Sequence, residues 1–156
     1  MSRMMTIAGL MVLLVSLALP AAAEDAHPCG ARYWHEVSRT GVGYEVQDCS
    51  MWRGDVPVYE EPVSNVGAGN QMPAPVGYLW SAEGNWFLCQ AETSRVYRAP
   101  GDNDYANDWW AYTMADNGEW GWVPEVFFSG GDNFEKDGNL AGCPDHLDPE
   151  RYRIVP

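Results

Sequence analysis

The chain has 156 residues, of which 22 are acidic and nine are basic, so its net charge is −13. No cluster of basic residues could neutralise phosphates, which argues against nucleic-acid binding. The same acidity argues against attraction to an anionic membrane surface. Eight Trp, eight Tyr and four Phe provide enough apolar surface for a core, which argues against intrinsic disorder.

The first 23 residues have the pattern of a secretory signal peptide. Arg3 precedes an apolar run over Ile7–Leu19, and Pro20–Ala23 supplies the small residues of a cleavage site before Glu24. The run is too short for a membrane span, and no stop-transfer pattern follows it. We therefore expect a secreted mature chain, residues 24–156, that does not insert into the membrane. Arg3 is the only charged residue removed, so the mature net charge is −14.

Residues 24–54 form the first predicted unit of the mature chain. The segment is too short to own a core, so we expect an extension that packs on the domain that follows and is pinned by a disulfide. Gly41–Gly43 is a predicted turn within it. The segment also contains Trp34 and Trp52.

Four cysteines, an even number in a small exported chain, indicate disulfides. Three pairings are possible. We favour Cys29–Cys49, which closes a short loop, and Cys89–Cys143, which ties the end of the domain to its interior. A zinc site is the competing interpretation, but no two cysteines have the spacing of a zinc knuckle.

Residues 55–143 have the pattern of a small all-β domain. Short aromatic and β-branched runs alternate with Gly, Pro, Asn and Asp, and no long helical period is present. Loops are predicted over 64–75 and 100–108, and the remaining residues 144–156 form a polar tail. The predicted strands are Val56–Tyr59, Val76–Trp80, Trp86–Gln90, Trp109–Met114 and Glu119–Pro124, with Val126–Phe128 as a short bent strand or turn of helix.

Residues 108–128 contain a predicted hairpin. Strand alternation would place Trp109 and Trp110 on opposite faces. Ala115–Gly118 is the predicted turn, with Asn-Gly as its strongest signal. Pro124 would end the second strand because it lacks an amide donor.

The spacing of this hairpin resembles that of Src-homology-3 domains, and in particular a secreted two-cysteine form from actinobacteria. The resemblance covers residues 55–143 and depends on Asn85–Cys89, Trp109–Thr113, the Gly-Trp-Val-Pro motif at Gly121–Pro124, and Cys143. It implies a Src-homology-3-like barrel of five to six strands. Bacterial exported relatives often accompany cell-wall enzymes as targeting modules.

In Src-homology-3 domains, proline-rich peptides bind in grooves lined by aromatic side chains. The resemblance therefore implies a ligand groove here, and the 24–54 extension would either cover or extend it. Two features depart from the family: Val58–Glu61 only distantly matches the usual Ala-Leu-Tyr-Asp-Tyr run, and Phe127 replaces the groove tyrosine. The candidate ligand-binding residues are Trp109, Trp110, Tyr112, Trp122, Pro124 and Phe127. The alternative interpretation places these rings in the core.

The loop around Asp102, Asp104 and Asp108 presents oxygen atoms that could bind calcium. It lacks the pattern of a twelve-residue calcium loop, so we favour a solvated acidic loop and predict no metal or other cofactor. Catalysis has little support, because His27 lies next to the predicted cleavage site, His146 lies in the tail, and the cysteines are expected to be bridged. We therefore predict a protein that is not an enzyme.

The predicted function is non-catalytic binding of a cell-envelope ligand of the peptidoglycan type, or another extracellular polymer or peptide, through the aromatic groove. The acidity opposes binding to anionic wall polymers at long range. The first alternative is therefore an acidic interaction module or inhibitor of a basic secreted protein. A small hydrolase is the third. We expect a monomer.

Overall fold

The structure is a computed structural model that describes residues 28–67, 72–101 and 104–144. The predicted signal peptide and most of the polar tail lie outside these residues. The described part of the chain is all-β, with eight strands, one 3-10 turn and no α-helix. None of its helical segments is long and apolar enough to span a membrane.

The strands make up less than half of the described chain, and turns and loops connect them. The 3-10 turn Glu125–Phe127 ends the regular structure. In chain order the strands are β1 (Tyr33–Val37), β2 (Val42–Asp48), β3 (Val56–Val58), β4 (Gly77–Leu79), β5 (Trp86–Phe87), β6 (Cys89–Arg98), β7 (Ala106–Met114) and β8 (Trp120–Pro124).

The strand predictions agree with the structure where apolar residues are frequent. Strands β3, β4, β7 and β8 lie at predicted positions, and the predicted strand over 86–90 is divided into β5 and the start of β6. Val126 and Phe127 lie in the 3-10 turn, which is one of the two forms predicted, and Phe128 follows it in an extended conformation. The β1–β2 hairpin and the second half of β6 were not predicted. Tyr33, Trp34 and Val42 are exposed although they are apolar or aromatic, and the register of β6 is irregular between Glu92 and Tyr97, so polar and apolar residues do not alternate regularly in these strands.

The strands form three separate sheets. Strand β7 is the centre of the antiparallel β6-β7-β8 sheet, β3 pairs with β4, and β2 lies between β1 and β5. A single bridge between Tyr59 and Trp122 joins the end of β3 to β8. The predicted all-β fold is thus confirmed. The ladders of the described residues do not close into the barrel that the resemblance implies.

The main core lies between the β6-β7-β8 sheet and the β3-β4 pair. Trp110 is fully buried there, and its ring contacts those of Tyr59 and Tyr97. Gly121 allows β8 to approach the other sheet, because a Cβ at this position would lie 2.3 Å from the carbonyl oxygen of Tyr59. This close approach gives the glycine of the Gly-Trp-Val motif a structural reason.

Both disulfides have the favoured pairing, Cys29–Cys49 and Cys89–Cys143. The first is buried inside the main core with Met51, so the 28–54 segment is built into the domain. This segment also has a small apolar cluster of its own around Val37, Tyr44 and Val46, which packs against Trp86, Leu88, Met114 and Trp120. The extension therefore shares its core with the rest of the chain.

Two buried glutamines fasten the loop that precedes Cys143. Gln47 donates hydrogen bonds to the carbonyls of Gly30 and Asn139, and its Oε1 accepts one from the amide of Ala141. Gln90 donates to the carbonyls of Asp137 and Leu140 at 2.6 and 2.5 Å. These bonds satisfy backbone groups of a loop that has no ladder of its own.

Candidate functional site

The candidate groove residues lie mainly in the core. Trp110, Tyr112, Pro124 and Phe127 are buried, while Trp109 and Trp122 are partly exposed. Ligand cannot contact the four buried residues without a rearrangement of the core. The interpretation that placed these rings in the core therefore holds for Trp110, Tyr112, Pro124 and Phe127.

The physical reason is the central position of β7. The strand has β6 on one side and β8 on the other, and residues 110–113 are all buried. Alternation therefore does not separate a buried face from a solvent face along this part of the strand. Tyr112 lies against Trp122, with ring centroids 5.0 Å apart, and stacks on Trp120 at 5.7 Å. These rings pack against one another.

Trp52, from the extension, covers the end of the expected groove. Its ring stacks on Phe127, with centroids 5.8 Å apart and an interplanar angle of 29°. Its backbone amide donates to the carbonyl of Phe127 at 3.1 Å, and its indole Nε1 donates to the carbonyl of Val126 at 2.8 Å. Trp52 of the extension therefore covers Phe127.

The same contacts hold the Trp52 ring in a fixed orientation while leaving it 49% exposed. The guanidinium carbon of Arg53 lies 5.6 Å from the ring centroid, which adds a cation–π contact. A ring that is held by hydrogen bonds before ligand arrives loses little conformational entropy on binding. Trp52 is therefore a prearranged aromatic surface.

Trp52 forms one wall of a groove of about 580 Å³. The loops 99–101 and 129–133 border it, and the ring of Tyr105, which is 58% exposed, lies among its lining side chains. Val126 and Phe128 contribute apolar surface. The volume falls in the range of small-molecule sites, and apolar walls with a few polar groups are typical of them. We call this surface the Trp52–Tyr105 groove.

Glu125 lies beneath the groove and is buried. Its Oε2 accepts a hydrogen bond from the amide of Asp137 at 3.2 Å. Its Oε1 has no hydrogen-bond partner among the described residues. Burial raises the pKa of Glu125 to about 8, while the backbone hydrogen bond from Asp137 lowers it and the charge of Asp137 raises it by less than burial does. The side chain is therefore mostly uncharged at neutral pH, and Oε1 is free to carry the proton.

The two loops beside the groove are joined by side-chain hydrogen bonds. Asn133 Oδ1 accepts from the amide of Ala106 at 2.8 Å, and its Nδ2 donates to the carbonyl of Asp104. Asn107 donates to the carbonyl of Glu135 at 2.9 Å. These contacts position the groove walls relative to β7, so the cavity is formed before any ligand binds.

The acidic residues do not form a metal site in the described part of the chain. No group of three or more His, Cys, Asp or Glu side chains is arranged there to hold a metal ion. Asp108 lies in β7 and is partly exposed, and Asp104 lies in the loop before that strand. Asp102, the third calcium candidate, lies outside the described residues.

His35, the one histidine within the described residues, does not line the groove. His35 lies on β1, with its ring centroid 4.7 Å from that of Trp86. His27 and His146 lie outside the described residues. All four cysteines are in disulfides, so none is a thiol nucleophile.

Sequence reasoning noted Trp52 but not Tyr105, and it did not place either in a site. The two residues are separated by 53 positions and come from different loops. The sequence feature that could have identified them is an aromatic residue in an otherwise polar segment, since Trp52 precedes Arg-Gly-Asp and Tyr105 follows Asp104. Comparison with protein-family models, curated proteins and solved structures finds no match for this chain.

Proposed function

We propose that this protein is an exported, non-catalytic binding module that holds a cell-envelope glycan of the peptidoglycan type in the Trp52–Tyr105 groove. The observation that carries the proposal is the groove itself, with two exposed aromatic rings beside a cavity of about 580 Å³. Aromatic rings provide large, rigid surfaces with a polar edge, which suits ligands that alternate apolar ring faces and hydroxyl groups.

The electrostatics of the groove favour an uncharged segment of such a ligand. Glu125 is neutral beneath the cavity, whereas the chain as a whole has a net charge of −13. Long-range repulsion would weaken the approach of an anionic polymer at low ionic strength. Binding would then depend on short-range contacts with the rings, and it would persist or improve as salt is added.

The proposal includes the Src-homology-3-like fold and export through the signal peptide. The β6-β7-β8 meander, the β3-β4 pair and the 3-10 turn after Pro124 are the elements that support this fold. The Tyr59–Trp122 bridge brings the two sheets together as a partly closed barrel would. Two disulfides support an oxidising, extracellular location.

The test is cosedimentation of the exported protein with purified peptidoglycan sacculi at 50 and 300 mM salt. Tyr105→Ala removes an exposed ring from the groove, so we expect binding to fall about tenfold or more. Trp80→Ala is the matched control, because Trp80 is 61% exposed and lies outside the groove lining. We expect the control to bind as the unmodified protein does, and no muropeptide to be released.

Three results would overturn the proposal. Equal binding of the Tyr105→Ala variant would remove the groove from the interaction. Binding that needs calcium and disappears with a chelator would move the site to the acidic loop. Absence of binding at both salt concentrations, together with salt-sensitive binding to a basic protein such as lysozyme, would favour the acidic interaction module instead.

A further inference from the structure

Strand β1 is an edge strand of the β1-β2-β5 sheet. The strand pairs with β2 along Tyr33–Val37, and its other side faces no strand among the described residues. Such an edge presents unpaired backbone N–H and C=O groups that can accept a further strand. A strand from another molecule can therefore extend the sheet by backbone hydrogen bonding.

The two faces of β1 differ in their surroundings. Val37 is buried, His35 lies against the ring of Trp86, and the hydroxyl of Tyr33 donates to Asp48 at 2.6 Å. These three residues alternate along one face, which packs toward the rest of the molecule at His35 and Val37, whereas Tyr33 is 40% exposed. The side chains at positions 32, 34 and 36 lie on the opposite face.

That opposite face is exposed and carries an aromatic ring between two charges. Trp34 is 68% exposed, and its ring lies over Gly43, where a Cβ would come within 2.3 Å of the ring atoms. Arg32 and Glu36 are both exposed, and neither has an ion pair or side-chain hydrogen bond with the rest of the described chain. The order along the strand is therefore positive, aromatic, negative.

This order is complementary to itself when two copies run antiparallel. With a two-fold axis at Trp34, Arg32 of each copy lies opposite Glu36 of the other, and the two Trp34 residues face each other. Opposite charges and aromatic pairs at directly opposed positions stabilise antiparallel strands. If the register of the two strands shifts by two residues, both ion pairs are lost. If it shifts by one residue, side chains of the Trp34 face lie opposite side chains of the Tyr33 face.

We propose that β1 is a self-association edge through which two copies of this chain form a symmetric dimer. The dimer would join two three-stranded sheets into one continuous sheet, with the β1 strands antiparallel and centred on Trp34. Its two-fold symmetry closes the assembly, because each copy has used its β1 edge. The proposal departs from the monomer expected from the sequence and does not depend on the groove.

The size of the edge sets the strength of the dimer. Five residues of strand bury much less surface than a standard protein interface, so we expect reversible association with a dissociation constant of about 0.1–1 mM. Sedimentation velocity of the exported protein between about 10 µM and 1 mM covers this range. We expect the sedimentation coefficient to rise with concentration toward that of a dimer.

Charge reversal tests the register. The R32E variant places two acidic residues opposite each other at both ends of the paired strands, and E36R places two basic residues there. We expect each variant alone to dimerise at least about tenfold more weakly than the unmodified protein. Mixed in equal amounts, the two variants should form a heterodimer, since every opposed pair is then of opposite charge. The double variant R32E/E36R should dimerise as the unmodified protein does.

R95E and E92R are matched controls, because they make the same charge changes at exposed positions of β6. We expect neither to change association. A protein that stays monomeric at 1 mM would overturn the proposal, as would a dimer that R32E and E36R leave intact. Failure of the mixed variants to associate, after each has lost its homodimer, would also overturn the antiparallel register centred on Trp34.

Discussion

Glu125 shows how one buried side chain links the groove to the rest of the molecule. It lies on the 3-10 turn next to Val126, whose carbonyl holds the indole of Trp52. Its Oε2 accepts a hydrogen bond from the backbone amide of Asp137. The Oδ1 of Asp137 in turn accepts hydrogen bonds from the backbone amides of Asn139 and Leu140. The groove and the loop before Cys143 therefore depend on a side chain that burial keeps neutral.

Ionisation of Glu125 should destabilise the fold. Burial raises the pKa of Glu125 from 4.5 to about 8, so the folded state binds this proton more tightly than the unfolded chain does. Its contribution to the free energy of unfolding is therefore full below pH 4.5 and is lost as the pH rises through 8. The total loss is at most about 5 kcal/mol.

The Glu125→Gln variant, which cannot ionise, should remain stable over this pH range. We expect urea unfolding at pH 4.5, 6 and 8 to show a smaller loss of stability than in the unmodified protein. Glu119→Gln is the control, because Glu119 is exposed. Equal pH dependence in the Glu125→Gln variant and the unmodified protein would show that Glu125 ionises normally in the fold.

At the scale of elements, the 28–54 segment is joined to the domain along several independent contacts. β2 pairs with β5, a bridge joins Met51 to Phe128, and Ser129 donates its amide to the carbonyl of Ser50 at 2.9 Å. The Cys29–Cys49 disulfide lies in the shared core. Separate unfolding of the segment would expose this core.

Removal of the Cys29–Cys49 disulfide should therefore destabilise the whole domain in one transition. We expect a Cys29→Ala/Cys49→Ala variant to lose about 3 kcal/mol of unfolding free energy, as for a loop of this length. Urea unfolding followed by tryptophan fluorescence and by far-ultraviolet circular dichroism should give coincident midpoints. Two separated transitions, with the first confined to β1 and β2 in hydrogen exchange, would show that the extension unfolds independently.

At the scale of the whole molecule, the excess of acidic residues is the dominant electrostatic feature. The chain carries 22 acidic and nine basic residues. Like charges on a compact surface repel, and this repulsion opposes folding. Salt screens the repulsion over a Debye length of about 8 Å at physiological ionic strength.

Added salt should therefore raise the melting temperature. We expect an increase of about 2–5 °C between 10 and 200 mM sodium chloride, measured by differential scanning calorimetry. Sucrose at matched osmolality controls for solute effects that are not electrostatic. A melting temperature that is independent of salt would mean that the acidic side chains are spaced widely enough for their repulsion to be negligible.

The sequence by itself determined the all-β class, the two disulfides and the positions of β3, β4, β7 and β8. These features follow from local signals: Gly, Pro and Asn-Gly turns, apolar runs, and an even cysteine count in a chain with a predicted export signal. The same local signals failed for β1 and β2, because the exposed Tyr33, Trp34 and Val42 interrupt the alternation of polar and apolar residues. Strand edges and faces become visible only when neighbouring strands are in place.

The tertiary structure alone decided which aromatic side chains are accessible. Trp110 and Phe127 looked like binding residues in the sequence, yet the first is enclosed by the core and the second is covered by Trp52. The groove beside Tyr105 arises where loops distant in sequence meet above the 3-10 turn. Burial and proximity of this kind depend on long-range packing, which composition and spacing along one chain do not encode.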